Sequence, residues 1–103
     1  MNHNYAKANV TFQINNKKEK HGEYKEVHWQ NQNKACHCLF NDGRLHGEYI
    51  EWDAKGKVTA HRLYDNGEPV ELNLPSLSDE DRFELILTHN VPLLPEWSWE
   101  DDI

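Results

Sequence analysis

The sequence spells HGEY at His21–Tyr24 and again at His46–Tyr49, with the two copies 25 positions apart. The preceding residues also correspond, because QINNKKEK stands before the first copy and CLFNDGRL before the second. A third unit, AHRLYDNG at 60–67, matches CHCLFNDG at 36–43 with a shift of 24, and then lacks the His-Gly pair. The chain therefore holds about two and a half repeats, a pattern typical of proteins that stack one supersecondary unit on the next.

Each repeat predicts a β-hairpin. A β-type run ends in an aromatic residue, and the turn dipeptide Asp42-Gly43 or Asn66-Gly67 follows shortly after it. Such dipeptides are strong hairpin signals, because a two-residue type I′ turn needs positive φ at both central positions. The first repeat has Asn15–Lys18 at its turn. Asparagine tolerates positive φ, so we expect a turn there with a less defined geometry.

These runs predict a mainly β fold, an antiparallel meander of about five or six strands. Residues 1–7 are expected to form a loose polar start. Pro75 is expected to close the sheet, because proline cannot donate into a strand ladder. The predicted strands are Ala8–Ile14, Gly22–Trp29, Lys34–Phe40, Leu45–Trp52, Val58–Tyr64 and Val70–Leu74.

The segment Leu77–Asn90 predicts a single C-terminal helix. Ser78 is a good N-cap, and acidic residues fill the first turn, where the helix dipole favours negative charge. Residues 91–103 hold two prolines and are expected to form an extended acidic tail. We expect one domain over 1–103, with the repeat sheet at 8–74. The apolar stripe expected to dock the helix on the sheet consists of Leu77, Phe83, Leu85, Ile86 and Leu87.

The repeat resembles the MORN-like variant repeat of bacterial proteins, over roughly residues 10–70. The residues that carry the resemblance are Asp42, Gly43, Leu45, His46, Gly47, Glu48, Tyr49 and Trp52, extended by Gly56, Tyr64, Asn66 and Gly67. The resemblance implies an antitoxin-like role and no enzymatic activity.

The formal net charge of −7 argues against direct binding to nucleic acid or to anionic membranes, and it permits a partner protein with a basic surface. The chain shows neither a signal peptide nor an apolar run of transmembrane length. The only cysteines, Cys36 and Cys38, lie too close along one strand for a comfortable structural disulfide, so we expect a reduced, cytoplasmic protein. Unpaired strand edges make a homodimer through a sheet edge an open alternative.

The expected function is non-catalytic binding to a basic protein surface, in an antitoxin-like or inhibitory role. Tryptophan is a favoured anchor at interfaces, and acidic residues steer a basic partner toward its site. One candidate surface lies in the repeats, at Glu23, Tyr24, Glu48, Tyr49 and Trp52. The other lies at the helix start and in the tail, at Asp79, Glu80, Asp81, Glu96, Trp97, Trp99, Glu100, Asp101 and Asp102.

Two alternatives stay open at this point. The first is a phage-type acidic inhibitor that mimics nucleic acid on a host defence enzyme or another nucleic-acid-binding enzyme, using the helix start and the tail. The second, weaker alternative is a zinc-dependent site at Cys36, His37 and Cys38, although zinc prefers four ligands and His37 should point away from the two thiols. The sequence shows no motif of a catalytic nucleophile, a phosphate-binding loop or a metalloprotease, so no catalytic residue, metal or cofactor is predicted.

Overall fold

The computed structural model describes residues 3–6 and 9–97, and within them the chain forms one antiparallel sheet followed by a helix. The strands lie in chain order, each hydrogen-bonded to the next, so the predicted β meander is confirmed. The seven strands of this part of the chain are β1 (His3–Ala6), β2 (Val10–Ile14), β3 (Lys20–Val27), β4 (Lys34–Asn41), β5 (Arg44–Trp52), β6 (Val58–Asp65) and β7 (Glu68–Glu71).

Strand β1 corrects the expectation of a loose polar start. It pairs with β2 from His3↔Ile14 to Ala6↔Thr11. Strand β2 would otherwise be an edge, and an edge presents unpaired N–H and C=O groups that any neighbouring segment can satisfy. Backbone pairing of this kind needs no apolar pattern, and the short polar run therefore gave no signal in the sequence.

The two dipeptide turns have the geometry that the sequence predicts. The φ angle is 50° at Asp42 and 86° at Gly43, and it is 50° at Asn66 and 88° at Gly67. Positive φ at both central positions is the mark of the type I′ turn, whose twist matches the flanking strands. The turns fix the register, because Asn41 then pairs directly with Arg44 across the first of them.

The His-Gly pair of each HGEY lies in a β-bulge. The register shifts between Phe12 and Ile14, opposite β3, and again between Cys38 and Phe40, opposite β5. In both places the HGEY strand has extra residues against its neighbour, and such bulges bend a strand and re-aim its side chains. Gly47 has a φ of 126°, a conformation that favours glycine.

The sheet has two chemically different faces. Residues alternate between them along each strand, and residues paired across strands share a face. We call one the tyrosine face; it carries Tyr24, Cys38 and Tyr49, which are register partners on β3, β4 and β5. The other, the helix face, carries Leu63 on β6, which packs against the segments that follow the sheet.

Helix α1 spans Asp79–His89 and has the predicted N-cap. The Ser78 hydroxyl accepts a hydrogen bond from the Asp81 N–H at 3.2 Å. Asn90 ends the helix in the left-handed conformation, with its N–H bonded to the carbonyl of Ile86. A 3₁₀ turn at Leu74–Ser76 precedes the helix, and residues 91–97, which follow it, carry neither helix nor strand.

The core at this end of the sheet is small. Leu63, Leu74 and Val91 are its buried members. The partly buried residues packed against them are Val70, Leu77, Leu85 and Ile86. The predicted apolar stripe of the helix was wrong at two positions, since Phe83 and Leu87 are 64% and 63% exposed. Successive helical residues turn by about 100°, so these two residues cannot face the sheet together with Leu85 and Ile86.

We predict that Gly47→Ala lowers the free energy of unfolding by about 2–4 kcal/mol, against about 1 kcal/mol for Gly56→Ala. Both glycines have positive φ, so both substitutions introduce backbone strain. A Cβ at Gly47 would also lie 2.7 Å from the carbonyl oxygen of Pro92, whereas one at Gly56 would meet no heavy atom within 4 Å. Urea unfolding measures both values, and equal losses for the two variants would contradict the close approach at Gly47.

Candidate functional site

The histidine of each HGEY binds the turn of the next hairpin. The Asp42 N–H donates to Nδ1 of His21 at 3.2 Å, and the Asn66 N–H donates to Nδ1 of His46 at 3.1 Å. A second bond accompanies each of these, because the Gly43 and Gly67 amides donate to backbone carbonyls of the strand that carries the histidine. Each repeat therefore satisfies the turn amides of the repeat that follows it.

The glutamate of each HGEY pairs with a histidine on the next strand, on the helix face. His37 Nε2 lies 2.7 Å from Glu23 Oε2, and His61 Nε2 lies 2.7 Å from Glu48 Oε2. Burial lowers the pKa of His37, although the hydrogen bond and charge of Glu23 oppose that shift. The two carboxylates thus hold equivalent places within the sheet.

The tyrosine of each HGEY lies on the tyrosine face and bonds two residues further along its own strand. The Tyr24 hydroxyl donates to Glu26 at 2.9 Å, and the Tyr49 hydroxyl donates to Glu51. Burial, followed by the hydrogen bond to the carboxylate, raises the pKa of each tyrosine above its ordinary value. Each ring also packs edge-on against an aromatic ring of the next repeat. Tyr24 packs against Phe40, and Tyr49 packs against Tyr64.

The structure does not bring the five predicted repeat residues together. Glu23 and Glu48 lie on the helix face, whereas Tyr24 and Tyr49 lie on the tyrosine face. The expectation of one shared recognition surface was wrong, because adjacent residues of a strand point to opposite faces. Trp52 does not share a surface with either tyrosine. It packs edge-on against Trp97, with ring centroids 6.3 Å apart.

Unlike Glu23, Glu48 also hydrogen-bonds to the segment 91–97. Its Oε1 accepts a hydrogen bond from the Leu94 N–H at 2.9 Å while Oε2 binds His61. Its own backbone N–H donates to the carbonyl of Pro92 at 3.2 Å. This clamp fixes the start of the tail across β5 on the helix face.

Trp97 anchors the described end of the tail on the sheet. Its ring centroid lies 5.0 Å from that of His37, and the ammonium groups of Lys34 and Lys25 lie 5.5 Å and 5.9 Å from it. Cations over an indole face are attracted by the ring quadrupole. Trp97 therefore anchors the tail to the domain itself. Glu96 is exposed, and the candidates Trp99, Glu100, Asp101 and Asp102 lie outside the described residues.

The outer side of α1 brings together acidic and apolar side chains. Asp79, Glu80 and Asp81 are all exposed, and Glu84 is exposed beside them. Phe83 and Leu87 lie one turn apart and project from the same side of the helix, because residues four apart are surface neighbours. Sequence reasoning placed both in the core. About 160° of helical rotation separates each of them from Leu85, so one face cannot hold all three.

The two cysteines share the tyrosine face, and His37 lies on the helix face, as the alternation of the strand predicts. Within residues 3–6 and 9–97, no group of three or more His, Cys, Asp or Glu side chains is arranged to hold a metal ion. The same part of the chain has no helix of the length and apolarity needed to cross a membrane.

Comparison with protein-family models, with curated proteins and with solved structures finds no match to this chain. The resemblance to MORN-like repeats therefore stays a prediction. Any functional inference has to rest on the chain's own side chains and on how the fold places them.

We predict that Glu48→Ala raises the hydrogen-exchange rate of the Leu94 amide at least about tenfold, because that amide loses its acceptor. Glu23→Ala is the matched control. It removes the equivalent glutamate–histidine pair but no bond to the tail, so it should leave the Leu94 amide protected. Exchange followed by NMR resolves the single amide. Unchanged protection of Leu94 in the Glu48→Ala variant would refute the clamp.

Proposed function

We propose that this protein is a non-catalytic protein-binding module that engages a basic, partly apolar surface of a partner protein, in an antitoxin-like or inhibitory role. The observation that carries the proposal is the outer side of α1, where the exposed Phe83 and Leu87 stand among exposed carboxylates. We call this surface, made of Asp79, Glu80, Asp81, Phe83, Glu84 and Leu87, the acidic–apolar helix surface.

The apolar part of this surface supplies affinity. Burying a large apolar side chain that is otherwise exposed contributes about 1.5–3 kcal/mol. Phe83 and Leu87 leave most of their area exposed in the chain alone, although the neighbouring Leu85 and Ile86 pack on the sheet. Two such side chains, adjacent on one helix, match the way an amphipathic helix places its anchors in a partner's groove.

The acidic part selects the partner's charge. Helix α1 carries four carboxylates and one arginine, and the Arg82 guanidinium turns back to the carbonyl of Leu77 at 3.5 Å. The His89 ring likewise bonds Asp65 at 3.0 Å and faces the sheet. The Arg82 and His89 side chains thus turn toward the rest of the chain while the carboxylates are exposed, so the field at this surface is negative and favours a basic partner.

The other predicted surfaces support the proposal less well. Glu23 and Glu48 are engaged by histidines within the sheet, and Trp97 is engaged by the helix face. Mimicry of nucleic acid would use the same acidic helix start. The presence of Phe83 and Leu87 among the carboxylates favours a partner surface with an apolar pocket over a phosphate-binding groove. A phosphate backbone, which such a groove binds, has no equivalent of two exposed apolar side chains.

We predict that Phe83→Ser with Leu87→Ser abolishes capture of the partner from native lysate. The matched control is Val58→Ser with Leu72→Ser, which removes two exposed apolar side chains, 46% and 59% exposed, elsewhere on the chain. A genuine partner is retained by the control and lost by the helix variant. Quantitative mass spectrometry of the captured proteins makes the comparison, and equal capture by both variants would exclude α1 as the site.

The charge component has its own test. For the captured partner, the association rate should fall as salt rises, because screening acts over about 8 Å at physiological ionic strength. Glu84→Lys should lower that rate several-fold at low salt, while Glu68→Lys, an equal charge change on the exposed start of β7, should change it less. Surface plasmon resonance separates association from dissociation. Equal effects of the two substitutions would show that net charge alone, and not the helix surface, steers the encounter.

A further inference from the structure

A pair of thiols lies at the centre of the tyrosine face and has no part in the proposed partner binding. Cys36 and Cys38 are two residues apart on β4, the middle strand of the sheet. Cys38 is paired in register with Tyr24 and Tyr49, and Cys36 with their hydrogen-bond partners Glu26 and Glu51. Both thiols are free, and they lie next to each other on one face of the strand.

The two thiols have unequal surroundings. Cys38 is 2% exposed, whereas Cys36 is only partly buried and can be reached from solvent. The Tyr49 hydroxyl lies beside Cys36, because it donates to Glu51, the register partner of Cys36 on β5. One thiol is therefore accessible and the other lies directly behind it on the same face.

The same contacts separate the acidities of the two groups. Hydrogen bonding from Cys38 lowers the pKa of Cys36, and the Tyr49 hydroxyl adds to this, against the opposing effects of burial and of the Glu51 and Glu26 carboxylates. The pKa of Cys38 is raised by its bond to Cys36 and by burial, and Lys20 offsets only part of that rise. Burial disfavours the charged form, so the partly exposed Cys36 accommodates a thiolate, the attacking species in exchange, better than the buried Cys38.

We propose that Cys36 and Cys38 form a thiol–disulfide exchange site that takes a low-molecular-weight disulfide, such as glutathione disulfide, as its substrate. The Cys36 thiolate attacks one sulfur of that disulfide; a sulfur–sulfur bond forms to Cys36, and one thiolate of the small molecule leaves. Cys38, after losing its proton to solvent, attacks the Cys36 sulfur and expels the second thiolate. The protein loses two electrons and two protons as the Cys36–Cys38 disulfide forms, and the substrate is reduced to two thiols.

The regular strand does not permit this bridge without a local change of the backbone. Residues two apart on a strand have Cα atoms about 6.6 Å apart, near the upper end of what a disulfide spans, and their parallel Cβ atoms are about as far apart, beyond the roughly 4.5 Å of an unstrained disulfide. Closing it requires β4 to shorten locally while both its neighbours stay paired. A bond under such strain is readily reduced again, and this lability is typical of regulatory disulfides. The pair therefore suits reversible oxidation, with an accessible attacking thiol and a buried resolving thiol.

The test uses the folded chain and glutathione disulfide. We expect the wild-type protein to lose two hydrogen atoms and retain no glutathione, as intact mass spectrometry shows, and dithiothreitol to restore the original mass. Cys38→Ser should accumulate one glutathione adduct, and Cys36→Ser should react at least about tenfold more slowly than Cys38→Ser. Cys38→Ala replaces Cys38→Ser if the serine variant fails to fold by circular dichroism, because it leaves no buried hydroxyl.

Tyr49→Phe provides a further readout that a purely structural cysteine would not move. It should slow adduct formation at Cys36 several-fold, whereas Tyr64→Phe, on the same face but two strands away on β6, should not. The proposal is overturned if the folded wild-type protein stays reduced under glutathione disulfide, if it stops at a mixed disulfide, or if the two single-cysteine variants react at equal rates. None of these outcomes bears on partner binding by α1, which the helix variants test separately.

Discussion

The sheet depends on one requirement, that the N–H groups of each tight turn find an acceptor. In this chain the acceptor is the histidine of the preceding repeat, His21 for the turn at Asp42 and His46 for the turn at Asn66. The bulge at the His-Gly pair aims the ring at that turn, and glycine allows the backbone to make the bulge. Both ends of the array follow the same logic. The first turn has no repeat before it, and the Asn15 side chain accepts its amides instead. The third unit lacks the His-Gly pair, and no further hairpin turn follows it within residues 68–97.

The glutamate and the tyrosine of each HGEY connect neighbouring strands on opposite faces of the sheet. The glutamate ties each strand to the next through a histidine on the helix face, and the tyrosine does so through aromatic contact on the opposite face. Only the second repeat adds a further contact, where Glu48 also holds the backbone at Leu94. The repetition therefore builds the scaffold, and most of its polar groups are satisfied internally. On the outer side of α1, by contrast, two exposed apolar side chains lie one turn apart among exposed carboxylates.

Local rules predicted the parts of the fold that local chemistry decides. The turn dipeptides fixed two hairpins and their register, and Ser78 fixed the start of the helix. Strand β1 was missed because its pairing depends on a backbone edge and not on its own pattern. Phe83 and Leu87 were misplaced because the 3.6-residue period places them on one side with Ile86, whereas the helix docks through Leu85 and Ile86. The repeat residues were grouped by sequence adjacency, although the pleat of a strand separates neighbours. The role of Trp97 depends on cations and rings from distant strands, which no short motif encodes.

The repeats interlock through the histidine–turn hydrogen bonds, and NMR observes such bonds directly. An N–H···N hydrogen bond transmits a scalar coupling between its two nitrogens. A through-bond correlation on ¹⁵N-labelled protein therefore identifies the donor amide and the acceptor ring nitrogen of each bond. The account predicts couplings from the Asp42 amide to Nδ1 of His21 and from the Asn66 amide to Nδ1 of His46, with each ring proton on Nε2. Rings that carry their proton on Nδ1, with no coupling to either turn amide, would contradict it, because the repeats would then not interlock through their histidines.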